Sequence, residues 1–348
     1  MNASPLHDAA VLIGRFQPFH NGHAALLKAA LGKAERVCIM LGSSFQARNA
    51  KNPFTWEERA AMIGLCLEEA DMKRVAFLPV RDYYDDQRWA KAVEQGVLAQ
   101  LKRMQLRKKS PRVALIGFHK DASSEYLRRF PRWDFIGMER QGEIDATSVR
   151  RIYFDLRSFR VVAALYKGLL PDAVTVYLRG WSQLSAYPVM RAEHHAIEEY
   201  RKKWGGGPFV TVDALVTAAG HVLLIRRGRG PGHGLWALPG GFLEGRERLA
   251  QGAMRELREE TGLDLARADF TATLKTVTVF DHPDRSQRGR VITHVHWFDL
   301  KRETLPEVTG ADDAALAKWV PITQLPALEA ECFEDHFHIL DHFLGITG

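Results

Sequence analysis

The sequence predicts an α/β protein of two domains, and two features of the chain lead to this prediction. In the first half, short apolar segments alternate with helical segments, which is the order of a parallel sheet with helices on both faces. In the second half, strand-like segments surround one helix that is rich in glutamate and arginine. With 348 residues, of which 46% are hydrophobic, the chain is long enough for each half to bury its own core.

The elements of the first half follow from apolar runs that are bounded by turn residues. Strands are predicted at residues 9–16, 36–44, 74–82 and 112–119, and helices at 23–34, 57–70, 89–104 and 149–158. This order predicts a doubly wound, Rossmann-like parallel sheet. Ligands of such sheets bind at the carboxyl ends of the strands, which here carry Arg15, Ser43, Asp82 and His119.

A charged and then glycine-rich segment separates the two halves. It ends in Trp204 and three glycines directly before Pro208, a composition typical of a domain boundary. We therefore predict a first domain at residues 1–186, a connector at 187–207 and a second domain at 208–348. In the second domain we expect two strands within 209–227, further strands at 273–280 and 291–300, and helices at 247–260 and 331–344.

Composition and charge narrow the classes of partner. The chain has three cysteines and a net charge of +6, and it lacks an apolar run of about 18 residues, the length that suggests a membrane span. An odd number of scattered cysteines suits neither a disulfide framework nor a metal site, so we expect a cytoplasmic protein without a membrane partner. The basic run at residues 102–112 has no interleaved aromatic residues, and we interpret it as a solvated helix end rather than a nucleic-acid site. A homo-oligomer is left open.

The helix at 247–260 carries the strongest chemical signal. Its residues Glu256, Glu259 and Glu260 stand at i, i+3 and i+4 and therefore share one helical face. Neighbouring carboxylates repel each other, and a hard divalent cation that prefers oxygen ligands removes this repulsion. We expect these three residues to bind Mg²⁺, with Mn²⁺ as the alternative metal, and Arg255 to brace an acidic neighbour. Gly262 suits a left-handed C-terminal cap. The alternative interpretation is an ordinary solvated helix face.

The window from Gly240 to Leu263, which contains this helix, resembles the signature of the Nudix hydrolases. The resemblance implies an α/β/α sandwich with a mixed sheet. It also implies an enzyme that cleaves a nucleoside diphosphate linked to another group, with Glu259 and Glu260 as catalytic residues. Outside the window, Arg226 and Arg227, together with the stretch from Phe280 to Arg290 that contains Arg285, are candidates for contacts to the diphosphate or the ribose of the substrate. For the segment around Arg285, a flexible solvated loop is an equal alternative.

A second motif lies between the first predicted strand and the first helix. His20 and His23 flank Asn21 and Gly22 in an H-x-G-H arrangement. At a helix N-terminus, two imidazoles meet free backbone N–H groups and the positive end of the helix dipole, and together these groups hold phosphates. The alternative is a pair of histidines that only cap the helix.

The stretch from Gly14 to His23 resembles the nicotinamide mononucleotide adenylyltransferases of the archaeal type. The resemblance continues to the segment 145–150, which is similar to a second phosphate motif of that family in either of two frames, Thr147 to Arg150 or Ser148 to Arg151. It implies that His20, His23 and Arg150 are catalytic and that Trp89 stacks on the nicotinamide ring. The implied substrate contacts are, in full, Arg15, Phe16, Gln17, Arg48, Asn52, Asp82, Trp89, Lys120, Asp121, Thr147 and Ser148.

Taken together, the two halves are similar to a bacterial fusion of such an adenylyltransferase with a Nudix ADP-ribose pyrophosphatase. The resemblance implies three small-molecule substrates: ATP, nicotinamide mononucleotide and ADP-ribose. Two alternatives stay open. The Nudix half is a non-catalytic module that senses ADP-ribose or NAD, or the transferase uses another phosphate-bearing acceptor such as nicotinate mononucleotide.

Overall fold

The fold was analysed in a computed structural model that describes residues 7–83, 85–106, 108–118, 129–139, 144–265 and 272–347. The chain divides into two compact units, Met1–Arg191 and Ala192–Gly348, and each is described by itself. The helix Ala186–Trp204 covers most of the predicted connector, whose exact limits stay a prediction. Among the described residues, the helices are all too short or too polar to cross a membrane.

The first unit is built on a five-stranded sheet in which all paired strands are parallel. The strands are β1 (His7–Gly14), β2 (Ala34–Leu41), β3 (Val75–Pro79), β4 (Val113–Phe118) and β5 (Asp134–Met138). Their order across the sheet is β3-β2-β1-β4-β5. The chain therefore reverses its direction of travel across the sheet next to β1, and ligands of such sheets bind beside this point.

Alternate residues of the central strands face two separate hydrophobic cores. In β1, Ala10 and Leu12 belong to one core, whereas Ala9 and Val11 belong to the other. Because both faces are covered, these strands are apolar throughout and do not alternate with polar residues. This arrangement confirms the predicted doubly wound sheet.

The helices of the first unit agree with most of the predicted segments. They are α1 (Asn21–Lys33), α2 (Trp56–Gly64), α3 (Glu69–Met72), α4 (Asp86–Arg103), α5 (Ala146–Asp155), α6 (Phe159–Tyr166) and α7 (Asp172–Trp181), and α8 (Ala186–Trp204) begins in this unit and continues into the second. The single helix predicted at 57–70 is wrong. Its last turn tightens, because Cys66 donates its N–H to the carbonyl of Ile63 and Leu67 donates to Gly64, and this ends α2 before α3 begins.

The second unit is built on a mixed sheet, as the Nudix resemblance implies. Its strands are β6 (Phe209–Ala218), β7 (His221–Arg227), β8 (Trp236–Ala237), β9 (Gly240–Phe242), β10 (Leu274–Phe280), β11 (Val291–Asp299) and β12 (Ala314–Pro321). The main order is β10-β11-β6-β7-β12, with β8 paired to β7 and β9 paired to β6. Strands β11 and β6 are parallel, whereas the other pairs are antiparallel.

Two helices pack on this mixed sheet. Helix α9 (Leu249–Thr261) contributes Leu257 to the core that contains Ala214 and Val216 of β6. Helix α10 (His336–Leu344) contributes Phe337 and Leu340 to the core on the other face, with Leu215. The helix predicted at 331–344 starts too early, because Phe333 donates its N–H to the carbonyl of Trp236 and keeps this segment extended. A 3₁₀ helix, Ile322–Glu331, precedes it.

Candidate active sites

The two histidines of the first motif cap helix α1 reciprocally. His20 is the N-cap residue; its Nδ1 accepts a hydrogen bond from the N–H of His23 at 3.4 Å, and Nδ1 of His23 accepts one from the N–H of His20 at 3.3 Å. The two rings are stacked with 3.6 Å between their centroids. A side chain at Gly22 would place its Cβ 3.1 Å from the His20 ring. Glycine therefore allows the ring to lie against the helix N-terminus.

The loop that leads from β1 to this cap is fixed by buried contacts. Phe16 has a left-handed backbone, with φ of 50°, and its ring lies 4.8 Å from that of His23. The buried amide of Gln17 donates to the carbonyl of Phe54 at 2.8 Å and accepts from the N–H of Phe54 at 3.0 Å. Phe16 and Gln17 were predicted to contact substrate. In this structure both side chains shape the loop, and their contact with substrate stays a prediction.

Arg150 reaches the same loop from helix α5. Its Nη1 donates to the carbonyl of Gln17 at 2.6 Å, and its Nη2 donates to Oγ1 of Thr147 at 3.2 Å. The side chain is buried, and this burial, together with the charge of Arg15, lowers the pKa of Arg150 to about 10. Arg151, in contrast, is exposed and lies 3.5 Å from Asp155. The geometry thus favours the frame Thr147 to Arg150.

An aspartate, Asp145, is the N-cap residue of helix α5. Asp145 accepts hydrogen bonds from the N–H groups of Thr147 and Ser148 at 2.8 and 2.9 Å, and from the Ser148 hydroxyl at 2.7 Å. These hydrogen bonds, opposed by burial, lower the pKa of Asp145. Both Thr147 and Ser148 are exposed, so their side chains lie at the surface of the site.

Arg59 is a residue of this site that the sequence reasoning missed. It lies on α2, is 1% exposed, and its donors are directed at the loops after β1 and β2. Nη1 donates to the carbonyls of Arg15 and Gly42, both at 2.6 Å, and Nη2 donates to Oγ of Ser44 at 3.2 Å and to the carbonyl of Ser43 at 3.5 Å. Nε donates to the carbonyl of Thr55 at 3.2 Å. Burial lowers the pKa of Arg59 to about 10.

Asp82 and Arg48 are both engaged within the protein. Asp82 accepts from the N–H of Ser43 at 3.1 Å and from its hydroxyl at 2.6 Å, so it stabilises the loop after β2, where Ser43 has a φ of 50°. Arg48 donates to both carboxylate oxygens of Glu58 and to the carbonyl of Pro53 at 2.7 Å. Asp82 follows β3 at the carboxyl edge of the sheet, as predicted, and the contact of both residues with substrate stays a prediction.

The remaining residues of the first unit that were predicted to contact substrate differ in their burial, and two of them lie outside the described residues. Oδ1 of Asn52 is buried and has no hydrogen-bond partner among the described residues. Trp89 lies half-buried on α4, with 5.9 Å between its ring and that of Phe130. Arg15 is exposed at the end of β1. Lys120 and Asp121 lie outside the described residues.

In the second unit, Arg255 connects the acidic residues of helix α9. It donates to both oxygens of Glu247 at 2.8 and 3.1 Å, to Glu256 at 2.8 Å and to Glu259 at 3.0 Å. These contacts confirm the bracing role predicted for Arg255. The helix ends at Gly262, whose φ of 70° confirms the predicted left-handed cap.

Two of the three clustered carboxylates, those of Glu260 and Glu256, are at least partly buried. Glu260 is 3% exposed, and burial together with the charge of Glu256 raises its pKa to about 8, although the N–H of Gly240 donates to it at 2.8 Å. Burial also raises the pKa of Glu256. A Cβ at Gly241 would lie 2.3 Å from Oε1 of Glu256, so the glycine leaves room for this carboxylate. Close, poorly solvated carboxylates are a donor set that fits a hard divalent cation.

The arginines that were predicted to contact the substrate of this unit have different surroundings. Arg226 is exposed and donates to the carbonyl of Gly234 at 2.7 Å. Arg285 is buried and forms a two-fold hydrogen-bonded ion pair with Asp335, at 2.8 and 2.9 Å. This pair gives Arg285 a structural role, and its contact with substrate stays a prediction. Arg227, the residue after Arg226 on β7, is the one that interacts electrostatically with Glu260.

Comparisons with known proteins agree with this division into two sites. The Nudix-domain family model matches residues 207–343, and the cytidylyltransferase-like family model matches residues 11–152. The first domain is 34% identical, over 190 residues, to a nicotinamide/nicotinic acid mononucleotide adenylyltransferase of Acinetobacter baylyi. This match covers 54% of the present chain and 94% of the relative.

The second domain and the chain as a whole also have relatives. Over 137 residues the chain is 34% identical to an ADP-ribose pyrophosphatase of Methanocaldococcus jannaschii, which covers 39% of this chain and 73% of the relative. A crystal structure of a bifunctional NMN adenylyltransferase/ADP-ribose pyrophosphatase from Francisella tularensis, in complex with AMP and a manganese ion, superposes with a TM-score of 0.88. It is 36% identical, and the match covers 98% of this chain and 100% of that one. The chain therefore belongs to the bifunctional family in which a mononucleotide adenylyltransferase domain is followed by a Nudix ADP-ribose pyrophosphatase domain.

Proposed function

We propose that the first unit transfers the adenylyl group of ATP to nicotinamide mononucleotide, and that the second unit hydrolyses ADP-ribose to AMP and ribose 5-phosphate. The observation that carries this proposal is that one chain holds two groups of residues whose chemistry suits these two reactions. One is the reciprocal histidine cap with Arg150 beside it, and the other is the carboxylate cluster on helix α9.

In the transferase, a phosphate oxygen of the mononucleotide attacks the α-phosphorus of ATP. The bond from the α-phosphorus to the bridging oxygen breaks, and pyrophosphate leaves as NAD forms. His20 and His23 contact the phosphates at the N-terminus of α1, where the positive end of the helix dipole also favours an anion. Arg150 stabilises the charge that develops during transfer. Arg150 suits this role because Gln17 and Thr147 fix its guanidinium before substrate arrives.

The other residues at the carboxyl edge of the first sheet bind and orient the two substrates. Exposed Arg15 contacts phosphate, and Trp89 stacks on the pyridine ring. Asn52 supports this role because its buried Oδ1 is unpartnered among the described residues and can accept a hydrogen bond from a ligand. Arg48 and Asp82 act mainly by holding the loop after β2 in place.

In the hydrolase, Glu256, Glu259 and Glu260 hold Mg²⁺, and Mn²⁺ can replace it. When bound, the metal lowers the pKa of a water molecule and shields the charge of the diphosphate. Neighbouring residues of the protein fix the orientation of these three glutamate side chains. Arg255 orients Glu256 and Glu259 by direct hydrogen bonds, and the N–H of Gly240 fixes Glu260. Arg227 interacts electrostatically with Glu260.

Two assays test the two activities separately. The protein is incubated with ATP, nicotinamide mononucleotide and Mg²⁺ to detect NAD, and with ADP-ribose and Mg²⁺ to detect AMP. Glu259→Gln and Glu260→Gln are expected to abolish hydrolysis and to leave transfer intact, whereas His20→Ala does the reverse. If the wild-type protein forms no NAD with any divalent metal, the transferase proposal fails. Tight ADP-ribose binding in calorimetry without turnover would make the second unit a sensor.

The acceptor of the transferase is tested by comparing two pyridine mononucleotides. The Acinetobacter baylyi relative carries both nicotinamide and nicotinic acid mononucleotide in its name. We therefore include nicotinate mononucleotide as a second acceptor. Ratios of kcat/KM for the two acceptors, measured at equal ATP and Mg²⁺, identify the preferred one.

A further inference from the structure

The hydrogen bonds of Arg59 distinguish it from an ordinary buried arginine. It connects three segments that are distant in sequence: the residue after β1, the turn after β2, and the start of its own helix at Thr55. All five N–H donors of a guanidinium are matched by five acceptors, of which four are backbone carbonyls and one is the hydroxyl of Ser44. The first two segments form the carboxyl edge of the sheet, where the ligand of a doubly wound fold binds.

We propose that Arg59 is a positioning residue of adenylyl transfer, which holds the backbone of Arg15 and of the Gly42–Ser44 turn in the geometry that binds the substrate phosphates. This inference rests on the phosphate contact proposed for Arg15. Arg59 itself is buried and does not touch the substrate. It acts through Arg15, whose carbonyl it binds at 2.6 Å and whose side chain is exposed.

The turn after β2 needs such a support. Ser43 and Phe45 have left-handed backbones, with φ of 50° and 71°, and this conformation is costly for residues other than glycine. Strained residues persist where surrounding contacts determine them. Here the carboxylate of Asp82 holds Ser43 from one side, and Arg59 binds the Ser43 carbonyl and the Ser44 hydroxyl from the other.

The charge of Arg59 points to the same role. Among the described residues, all of its hydrogen-bond partners are neutral, and no carboxylate forms an ion pair with it. A buried cation without a hydrogen-bonded counter-ion is unfavourable by itself. The nearby charges of Asp82, Glu57 and Glu58 offset part of this cost, whereas the charge of Arg15 repels both Arg59 and Arg150. An anionic ligand at Arg15 would relieve the repulsion that Arg15 exerts on these two guanidinium groups.

Arg74 provides a matched control at the opposite edge of the same sheet. It also uses its donors to bind backbone carbonyls, those of Leu31 at 2.8 Å, Ala34 at 2.6 Å and Glu35 at 3.2 Å, and unlike Arg59 it pairs with a carboxylate, that of Asp71 at 3.1 Å. Ala34 begins β2, so this clamp lies at the amino ends of the strands, away from the ligand edge. Replacement of either arginine by lysine removes the planar fork and keeps the positive charge.

The experiment compares Arg59→Lys with Arg74→Lys in the full-length protein. Both variants are expected to lower the melting temperature. Arg59→Lys is also expected to lower kcat/KM for adenylyl transfer about 100-fold, which is the effect of displacing a binding group by roughly 1 Å. Most of this loss should be a higher KM for one substrate. That substrate is identified with a third variant, Arg15→Ala, as the one whose KM rises when the Arg15 side chain is removed. Arg74→Lys keeps transferase KM values within about 2-fold. Similar losses in both lysine variants, or an unchanged KM in Arg59→Lys, overturn the proposal.

A double-mutant cycle tests whether Arg59 acts through Arg15. If it does, Arg59→Lys has little further effect on KM in the Arg15→Ala background, because the group that it positions is already missing. Additive losses overturn the proposal, and so does an Arg15→Ala variant with wild-type KM values. In the second case NAD synthesis by the wild type still stands, so the two failures are distinguishable.

If Arg59→Lys does not fold, a milder variant, Ser44→Ala, takes its place. It removes one hydrogen-bond acceptor of Arg59 and is expected to raise the same KM about 3-fold, a fraction of the full effect. An unchanged KM in Ser44→Ala overturns the proposal.

Discussion

Glu260 and Gly240 are joined by a hydrogen bond of 2.8 Å, from the backbone N–H of the glycine to Oε2 of the glutamate. Gly240 begins strand β9, which pairs with β6. The hydrogen bond therefore fixes one carboxylate of helix α9 to the central sheet of its unit. The next residue, Gly241, lies against a second carboxylate of the helix, that of Glu256, and this leads to the first prediction.

Gly241→Ala is expected to lower kcat for ADP-ribose hydrolysis about 100-fold, because the new Cβ would lie 2.3 Å from Oε1 of Glu256 and displace it. NAD synthesis should not change, and steady-state assays of both activities check this. Gly245→Ala is the control, since no atom lies within 4 Å of its added Cβ. Full hydrolase activity of Gly241→Ala would show that Glu256 does not need this position.

His20→Asn separates capping from chemistry in the first unit. Asparagine is as good an N-cap as any residue, so the melting temperature should stay near that of the wild type, whereas His20→Ala loses about 1 kcal/mol of stability. The imidazole N–H is lost in both variants. We expect adenylyl transfer to fall about 100- to 1000-fold in each, the cost of one donor to developing charge. A fully active His20→Asn would reduce His20 to a cap.

Arg150 and Arg151 allow the frame of the second phosphate motif to be tested. Arg150→Met removes a buried guanidinium that is held by Gln17 and Thr147, and transfer should fall about 100- to 1000-fold. Arg151→Met removes only an exposed ion pair with Asp155, a contact worth about 0–1 kcal/mol, and activity should stay within about 2-fold. If the order of the two effects is reversed, the frame Ser148 to Arg151 is correct.

His336 makes the second unit sensitive to acid. Its Nδ1 accepts a hydrogen bond from the N–H of Leu238 at 3.0 Å, and burial lowers its pKa. The unfolded chain therefore binds a proton near pH 6.5, whereas the folded chain stays neutral there. Stability contributed by the neutral form is present above pH 6.5 and is lost as the pH falls through that value.

The acid sensitivity is measured by following thermal unfolding of the full-length protein between pH 7.5 and 5. His336→Gln, which can still accept from Leu238, is expected to reduce the fall in melting temperature over about this range. His233→Gln, a change of an exposed histidine, should leave the fall as it is in the wild type. Equal pH profiles for all three proteins would contradict the role of His336.

The local parts of both sites could be predicted from the sequence. Three carboxylates at i, i+3 and i+4 share a face in any helix, so Glu256, Glu259 and Glu260 required no knowledge of the fold. The same is true of His20 and His23, which lie within one turn of α1. Apolar runs identified the central strands, because both faces of a parallel sheet are buried.

The parts that depend on distant contacts could not be predicted. Arg59 binds a carbonyl 44 positions away, and backbone acceptors leave no trace in residue types. Arg226 and Arg227 are neighbours on one strand, so their side chains point to opposite faces. No local feature tells which of the two faces Glu260. For Arg285, the partner Asp335 lies 50 positions away, and only the folded chain reveals the pair.

The reciprocal cap of His20 and His23 also determines where the protons of the two rings lie. In both rings Nδ1 is the acceptor of a backbone N–H, so the ring hydrogen of each neutral imidazole is on Nε2. Neither Nδ1 can take up a proton without breaking the cap. In the proposed phosphate site, such neutral rings can donate hydrogen bonds and are unsuited to removing a proton from the attacking nucleotide. A mononucleotide phosphate is already ionised at neutral pH, so adenylyl transfer at this site needs no general base.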